Sequence, residues 1–536
     1  MKTEKSQIRT SRQGSGTRSV PHKTSITRTL TSVNMKVGSS SRTRGAIRPE
    51  RSSWPRLFIM GELRRSSVVG FRIQRLRDRP ARTDGARDGA MRMNHDRMTR
   101  RDFGRNAALG LAGAVGLPAV VPCSVRGADG RAAPSDRITL GLLGTGNIGT
   151  AHATAFLGHS DCRIVAVCDP VRDRRQPLRD RINVNGAHGS GVCTDYRHFG
   201  DLLARPDIDA VCVGVPDHWH AILAVQAMQA GKDVYVEKPL TRTVVEGRRL
   251  VRAAATYGRI LQTGLQRRSY APFRRVCELV RNGRLGHLTD VEVGILGINP
   301  GVQTGRNFPE TPVPDGFDYD LWLGPAPLAP FSPQRVARGN EVCYWYYIAD
   351  YTAGFISGNG VHFVDIGQWG IGDEVTPVQV HTPWADCPPD GLVDCPIAWR
   401  AEIVYANGVR MSYSSEGRPH PDGIRFVGTE GWIHISGNGT TTAQPAGILD
   451  SVIGPQELHL YTSPGHHRNF LDGIKTRRAT AACAEVGHHA TTTCNLVEIS
   501  ARLGRALTWD GRTERFVNDA AADRLLSRAT RMPWRL

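Results

Sequence analysis

Residues 138–149, ITLGLLGTGNIG, decide the fold of this 536-residue chain. The apolar run at 138–143 predicts a buried strand, and it leads directly into the pattern G-x-G-x-x-G at 144–149. Glycines in this pattern permit a tight turn, so that the following helix can direct its first N–H groups at a pyrophosphate. The stretch therefore predicts a dinucleotide-binding unit. The residues expected to contact the cofactor here are Gly144, Gly146, Asn147, Ile148 and Gly149.

The second apolar run, RIVAVC at 163–168, ends at Asp169. A carboxylate at this position can bind both ribose hydroxyls of the adenosine and repel a 2′-phosphate, which favours NAD over NADP. Arginines at 172, 174 and 175 leave the NADP alternative open, since one of them could accept a 2′-phosphate.

Short apolar runs continue to alternate with helical stretches along this part of the chain. Continuous apolar strands separated by helices are typical of a parallel sheet covered on both faces. The further strands are expected at DAVCVGV (209–215), DVYV (233–236) and RILQTG (259–264), and helices around Ala151–Leu157 and Ala221–Ala230.

Two loops follow these strands and should lie at the carboxyl edge of the sheet, where ligands bind. PDHWH at 216–220 is a poor metal site, having no H-E-x-x-H spacing and no nearby cysteine. Its Asp217 could simply cap a helix, or the loop, with Pro216 and His220, could line the nicotinamide site. The second loop is EKP at 237–239, where Pro239 should end the strand. Its Lys238 is either a solvent-exposed side chain at the strand end or a residue of the ligand site.

The positive charge of the chain is concentrated at its N-terminal end. The formal net charge is +19, yet residues 138–536 hold 40 Lys and Arg against 40 Asp and Glu. Nucleic-acid binding by this part is disfavoured because phosphate neutralisation needs a basic face. Residues 1–97 hold 23 basic against 7 acidic residues and lack apolar periodicity. We expect them to be a disordered basic tail or, preferably, the product of a start codon assigned too far upstream.

Residues 98–133 resemble a twin-arginine export signal. TRRDF at 99–103 precedes a weakly apolar, Gly- and Ala-rich segment that is too short for an ordinary membrane span. We therefore expect a periplasmic protein handled by the twin-arginine export machinery, and a membrane tether if the segment is not cleaved.

The 11 cysteines form no C-x-x-C pair, although Cys387 and Cys395 could pair across a loop.

In combination, the motifs resemble the Gfo/Idh/MocA oxidoreductases over residues 138–536, in particular the exported members of that family. GTGNIG, PDHWH and EKP carry the resemblance in the first half. It continues through GLQRRS (264–269), FRRVCELVRNGRLG (273–286), YDLWLGPAP (319–327), GVHFVDIGQWG (360–370), HHRNFLDGI (466–474) and EVGHHATTTCNLVEISARLGRALTWD (485–510).

The resemblance implies an α/β protein with two domains. The first is a Rossmann NAD-binding domain at 138–265. The second, at 266–536, is a substrate-binding α/β domain with an open, mostly antiparallel sheet that commonly serves for oligomerisation. The residues independently predict two hairpins in that half, one around the Asn407-Gly408 turn and one in GIRFVGTEGWIHIS. We expect a homo-oligomer.

The resemblance also implies catalytic residues. Lys238 would reach the substrate hydroxyl, and His362, on a helix closing over the nicotinamide, would be the second acid/base group. A lysine or histidine with its pKa tuned towards neutrality can take the hydroxyl proton. Asp365, one helical turn on, could orient His362. Many relatives carry an aspartate where this chain has Gly358, and we expect the adjacent Asn359 to point elsewhere.

Four further side chains are candidate contacts for a sugar or polyol, because arginines pair with hydroxyls or acids and aromatic faces stack on sugars. The alternatives are surface arginines and core aromatics. The candidates are Arg267, Arg268, Trp345 and Tyr346.

The sequence thus supports an NAD-dependent oxidoreductase acting on a CH–OH group of a sugar, cyclitol or sugar derivative. An exported enzyme must bring its cofactor with it, so we expect tightly bound NAD that is regenerated in place. Two alternatives remain open. One is a redox-neutral, NAD-dependent glycoside lyase or glycosidase-like enzyme, and the other is a non-catalytic sugar-binding paralogue, which the loss of the aspartate at 358 would permit.

Overall fold

The computed structural model describes residues 136–185, 192–298, 301–337, 344–415 and 420–536. The expected basic tail at 1–97 and the expected export signal at 98–133 lie outside these residues. Within the described ranges, no helix is both long enough and apolar enough to cross a membrane.

The first half contains a parallel sheet of six strands in the order β3-β2-β1-β4-β5-β6. Each strand pairs with its neighbours in the parallel sense, as the alternation of apolar runs and helices predicted. Sequence reasoning missed only the edge strand β3, whose three residues Thr-Asp-Tyr lack an apolar run. The strands are β1 (Ile138–Leu143), β2 (Cys162–Cys168), β3 (Thr194–Tyr196), β4 (Ala210–Val213), β5 (Asp233–Val236) and β6 (Leu261–Thr263).

Helices connect these strands and cover both faces of the sheet. The last of them begins with a capping box, in which Thr243 and Glu246 satisfy each other's backbone N–H groups. The helix that it starts begins at Val244, five residues after Pro239 in the loop that carries Lys238. The helices are α1 (Asn147–Leu157), α2 (Arg172–Asn185), α3 (Phe199–Leu203), α4 (His220–Gln229) and α5 (Val244–Tyr257).

The second half contains a mixed sheet of nine strands in the order β13-β12-β11-β7-β10-β9-β8-β14-β15. Only the β7–β10 pair is parallel among the described pairings, so the expected, mostly antiparallel sheet is confirmed. The strands are β7 (Leu288–Gly294), β8 (Pro377–Asp386), β9 (Ala398–Tyr405), β10 (Arg410–Ser414), β11 (Gly423–Gly428), β12 (Gly431–Ile435), β13 (Thr441–Gln444), β14 (Leu507–Asp510) and β15 (Arg515–Phe516).

Both predicted hairpins are present in this sheet. β9 and β10 pair antiparallel on either side of Asn407-Gly408, where Gly408 has a φ of +87° that only glycine adopts without strain. β11 and β12 pair antiparallel from Gly428 opposite Gly431. The two cysteines that could have paired, Cys387 and Cys395, are both free thiols.

Helices pack on one side of the large sheet and bury its apolar residues. Phe363 and Val364 of α10 lie in the same core cluster as Met411 and Phe426 of the strands. The helices of this half are α6 (Ala271–Arg281), α7 (Tyr319–Leu323), α8 (Pro333–Val336), α9 (Phe355–Gly358), α10 (Val361–Ile371), α11 (His466–Thr476), α12 (Ala484–Leu503) and α13 (Ala520–Asp523).

Helix α11 belongs to the second half in sequence but packs on the first sheet. Its Phe470 and Leu471 are completely buried in one cluster with Leu140 of β1 and Phe156 of α1. The second half of the chain therefore contributes apolar side chains to the core of the first sheet.

Candidate active site

The glycine-rich turn leaves the N-terminus of α1 open. Gly146 precedes the helix as its N-cap, and no side chain caps the first N–H groups. A Cβ atom on Gly144 would lie 2.4 Å from the Gly214 carbonyl oxygen, and one on Gly149 would lie 2.0 Å from the Gly144 carbonyl oxygen. Only glycine permits this approach of backbone to backbone. The result is an uncapped helix terminus, which is suited to an anion such as a pyrophosphate.

Asp169 lies at the carboxyl end of β2 and is 6% exposed. Its Oδ2 accepts hydrogen bonds from the Thr145 backbone N–H at 2.9 Å and from the Thr145 hydroxyl at 3.1 Å, and Oδ1 accepts one from the Val171 N–H at 2.9 Å. Two carboxylate oxygens offer about four acceptor positions, so capacity remains for a ribose hydroxyl.

The three neighbouring arginines differ in their surroundings. Arg175 is paired with Asp195 at 2.9 Å, and the side chain of Arg172 is half exposed. Arg174 donates to the Val336 carbonyl and lines the cavity described next, which makes it the arginine best placed to meet a 2′-phosphate.

A cavity of about 480 Å³ extends from the glycine-rich turn to Lys238. Its lining includes the expected cofactor residues of the turn except Gly149, together with Asp169, Pro216 and Glu237, and the aromatic side chains expected to meet a substrate. The lining residues that bear on function are Gly144, Gly146, Asn147, Ile148, Asp169, Pro216, Asp217, Glu237, Lys238, Trp345, Tyr346 and Asn359.

Glu237 precedes Lys238, is buried, and takes part in three hydrogen bonds. Its Oε1 lies 3.0 Å from Nε2 of His152 and accepts a bond from Gln266 at 2.9 Å, while Oε2 accepts the Lys238 N–H at 3.0 Å. Burial opposes ionisation, but the His152 hydrogen bond and the charge of Lys238 outweigh it and hold the pKa of Glu237 well below its usual value. Glu237 is therefore a buried anion beneath the site.

The ammonium of Lys238 points to the opposite wall of the cavity. Nζ donates to the Tyr346 hydroxyl at 2.9 Å and to the Gly358 carbonyl at 2.5 Å. Burial opposes the charged form, but Tyr346 and Glu237 outweigh it, so the pKa of Lys238 is raised. An amine tuned towards neutrality is therefore not what the structure contains here, because the surrounding acceptors stabilise the ammonium.

His362, on α10, has the opposite electrostatic character. Burial, and then the charges of Lys238 and Arg267, lower its pKa well below the ordinary value, so that it is neutral at pH 7. Its Nδ1 is buried and has no hydrogen-bond partner among the described residues. A neutral imidazole with a vacant nitrogen can accept a proton. His362 is not among the described residues that line the cavity, whereas Gly358 and Asn359, which precede it, are.

Family models match both halves of the chain. The NAD-binding Rossmann fold of the Gfo/Idh/MocA oxidoreductase family matches residues 138–265, and the C-terminal alpha/beta domain of the oxidoreductase family matches residues 271–536. The chain belongs to the Gfo/Idh/MocA family.

Individual relatives of this family match over shorter stretches. Inositol 2-dehydrogenase of Rhizobium meliloti (strain 1021) is 31% identical over 156 residues, which are 29% of this chain and 44% of the relative. A glycosyl hydrolase family 109 protein of Solibacter usitatus is 32% identical over 198 residues, 36% of this chain and 45% of that protein. The chain thus spans less than half the length of these two relatives.

A solved structure of similar fold is the aldose-aldose oxidoreductase from Caulobacter crescentus complexed with glycerol. It covers 69% of this chain and 99% of its own, with a TM-score of 0.51 and 18% identity. At this identity the likeness shows the fold alone.

From the family resemblance we expected Asp365 to orient His362, but its carboxylate binds Arg268 instead. Both Asp365 oxygens accept from Nε of Arg268 at 2.9 Å, and the Arg268 guanidinium also binds Asp373 at 2.7 Å. Arg268 is 3% exposed, and its guanidinium lies outside the described cavity lining. Its expected role as a substrate contact stays a prediction, which these two ion pairs do not favour.

Of the other residues expected to contact a ligand, some line the cavity and others do not. Arg267 lies with its guanidinium 4.1 Å from the ring centroid of Phe363 and donates to the Gly437 carbonyl at 2.6 Å, away from the cavity lining. His220 is also buried, with its two ring nitrogens 2.8 Å and 2.9 Å from the carbonyls of Pro239 and Val215. His220 thus links the two loops by hydrogen bonds. Trp345 and Tyr346, in contrast, line the cavity.

Sequence reasoning missed two residues of the site. His152, on α1, binds Glu237 and also lies 2.9 Å from His467, and no motif marks it. Asn359 lines the cavity, although we expected it to point elsewhere. The expectation assumed a continuous helix, but α9 ends at Gly358 and α10 begins at Val361.

Across the described ranges, no group of three His, Cys, Asp or Glu residues is arranged to bind a metal.

Proposed function

We propose that this protein is an NAD-dependent oxidoreductase that transfers hydride between the nicotinamide and a CH–OH carbon of a sugar, cyclitol or sugar derivative. The observation that carries the proposal is the continuity of one cavity from the uncapped terminus of α1 to Lys238. A dinucleotide bound at the terminus would place its far end beside an ammonium group. The name of the inositol 2-dehydrogenase relative supports the substrate class.

The residues present fit the cofactor. The glycine-rich turn and the N-terminus of α1 would hold the pyrophosphate, and Asp169 would hold the adenosine ribose. No described atom lies within 4 Å of a Cβ built on Gly146, so the space above the turn is open. When bound, the nicotinamide would accept or return the hydride.

The protein side chains would accept the substrate hydroxyl proton and stabilise the negative charge on the substrate oxygen. The Lys238 ammonium is a hydrogen-bond donor that would polarise the substrate oxygen and stabilise negative charge developing on it. The neutral imidazole of His362 would accept the hydroxyl proton, after a movement of α9 or by way of a water molecule. The stabilised ammonium favours Lys238 as the donor, and the neutral His362, whose Nδ1 has no partner among the described residues, is the candidate proton acceptor.

The first test is to denature the purified full chain and identify any released nucleotide by mass spectrometry and absorbance. Stoichiometric NAD(H) is the expected result, since an exported enzyme would carry its cofactor. A protein that is empty and also fails to bind added NAD or NADP would contradict the oxidoreductase proposal.

Replacing Asp169 with asparagine should raise the preference for NADP relative to NAD by about tenfold, because the charge that repels a 2′-phosphate is lost. Some stability should be lost too, since the amide cannot accept from both Thr145 and Val171. The matched control is Asp161→Asn, which removes a carboxylate that pairs with Arg468 outside the cavity lining. Titration of both nucleotides by fluorescence measures the ratio, and equal shifts in the two variants would contradict the assignment.

A redox-neutral glycoside-cleaving activity is the second candidate, and the glycosyl hydrolase family 109 relative favours it. The same residues would serve, with the oxidation reversed before release. Net NADH formation, followed by absorbance and compared with liberation of p-nitrophenol from aryl glycosides, separates the two activities.

Export and assembly complete the proposal. A periplasmic location by the twin-arginine route is compatible with a cofactor bound before export, because that route moves folded proteins.

We also propose that the large sheet forms an oligomer interface. Exposed residues on it include Trp384, which is 42% exposed and lies against Arg400. Light scattering of the purified protein measures the assembly.

A further inference from the structure

The wall of the cavity that faces the Lys238 ammonium is formed by Tyr346 and Gly358. The ammonium is met there by a phenol and a backbone carbonyl, and the Tyr346 hydroxyl itself donates to the same Gly358 carbonyl at 3.0 Å. The three groups form a closed triangle of hydrogen bonds. No carboxylate takes part in it, and the anion Glu237 lies on the other side of the lysine, one residue earlier in the chain.

The absence of a side chain at 358 is what admits the phenol. A Cβ atom built on Gly358 would lie 2.4 Å from Cε1 of Tyr346, 2.8 Å from Cζ and 2.9 Å from the hydroxyl oxygen. Real Cβ atoms essentially never show contacts this short, so the tyrosine ring and any larger residue at 358 exclude each other. The two positions are therefore sterically coupled.

We propose that Tyr346 and Gly358 form a coupled pair in which the phenol, in place of a carboxylate at 358, positions the Lys238 ammonium at the substrate end of the cavity. Tyr346 is then a positioning residue, acting through Lys238. The inference deepens the proposed function, on which it rests for the role of Lys238.

A neutral partner changes the electrostatics of the site. Burial raises the pKa of the Tyr346 phenol, against the opposing effect of Lys238, so the group stays protonated at neutral pH. The charged or titratable groups near the lysine are then Glu237, Asp217 and His362. With a phenol at this wall, the ammonium charge is not neutralised on the side facing the substrate. It is thus available to an oxygen that becomes negative.

Competitive acetylation with trace acetic anhydride tests the contact without a substrate. Residues 136–536 contain three lysines, so peptide mass spectrometry can follow Lys238 with Lys475 as internal reference. The reagent attacks the free amine, and a fall of one pKa unit raises the labelling rate below the pKa about tenfold. Tyr346→Phe should raise the rate at Lys238 by about that factor, because the ammonium loses an acceptor while the ring remains. The neighbouring substitution Tyr347→Phe is the matched control and should leave the labelling rate unchanged.

Rescue distinguishes positioning from simple packing. In Tyr346→Ala the labelling of Lys238 should be fast, and Tyr346→Ala/Gly358→Asp should return it to the slow wild-type rate, since a carboxylate can now occupy the space and bind the ammonium. Gly358→Asp alone should lower the melting temperature, because the tyrosine ring is still present. Unchanged labelling in Tyr346→Phe, or a double variant that labels as fast as Tyr346→Ala, would overturn the inference.

Nucleotide binding by the same variants separates this inference from the proposed function. Tyr346→Phe should bind NAD as the wild type does, because the phenol lies away from the glycine-rich turn. If the wild type binds no nucleotide while the labelling pattern is as expected, the oxidoreductase proposal fails and the lysine–tyrosine contact stands. If NAD binds and the labelling pattern is absent, only the coupled pair fails.

Discussion

Replacement of Lys238 by methionine is expected to lower kcat by about 10³-fold while leaving NAD affinity within about threefold of wild type. Methionine has an apolar chain of similar reach but no ammonium, so the Tyr346 hydroxyl and the Gly358 carbonyl lose their shared donor. Those two groups still bond to each other, which should preserve the fold. The loss should therefore fall on the chemical step.

Single-turnover formation of NADH, with a polyol that the wild type oxidises, measures the effect, and fluorescence titration measures NAD affinity. Lys475→Met is the matched control, since that lysine pairs with Asp161 at the surface of the Rossmann domain. It should leave both quantities unchanged. A Lys238→Met enzyme with more than a tenth of wild-type turnover would contradict the role assigned to the lysine.

The second large effect concerns the glycine-rich turn, where Gly146→Ala should separate folding from cofactor binding. A Cβ here meets no described atom, so the melting temperature should hardly change. The methyl group would, however, project into the open space above the helix terminus. If the pyrophosphate binds there, NAD affinity should fall at least tenfold, which corresponds to about 1.4 kcal/mol.

Two alanine variants of the same helix provide the comparison. Gly149→Ala should destabilise the protein by about 1–3 kcal/mol, because its Cβ would lie 2.0 Å from the Gly144 carbonyl oxygen. Gly158→Ala, at the other end of α1, should leave NAD binding unchanged and lower stability only slightly, since its Cβ would lie a tight 3.2 Å from the Ala155 carbonyl oxygen while its φ of −69° is ordinary. Equal NAD affinities in Gly146→Ala and Gly158→Ala would rule out pyrophosphate binding at this terminus.

Local signals were sufficient for much of the fold. Strands β1 and β5 begin and end at the predicted residues, because an apolar run followed by a turn specifies a buried strand without reference to distant residues. Strand β3 was missed since its three residues, Thr-Asp-Tyr, gain their pairing only from β2 beside them. A short polar edge strand has no periodicity of its own.

The site was predictable only in part, and the failures share a cause. Asp365 and His362 are three residues apart on one helix, which suggested a contact, but Arg268, nearly a hundred positions away, binds the carboxylate. A buried carboxylate is more strongly stabilised by a guanidinium at 2.9 Å than by a neutral imidazole. Spacing within a helix cannot reveal such a competitor.

The amino-acid sequence by itself determined the parallel sheet of the first half, the glycine-rich turn and the placement of Lys238 at the end of a strand. Backbone conformation and apolar periodicity act over a few residues, and they can be read from the chain. Only the tertiary structure decided which groups surround the lysine, since its acceptors at 346 and 358 lie 108 and 120 residues away. The direction of its pKa shift follows from those neighbours, because electrostatic effects depend on distances in space and not along the chain.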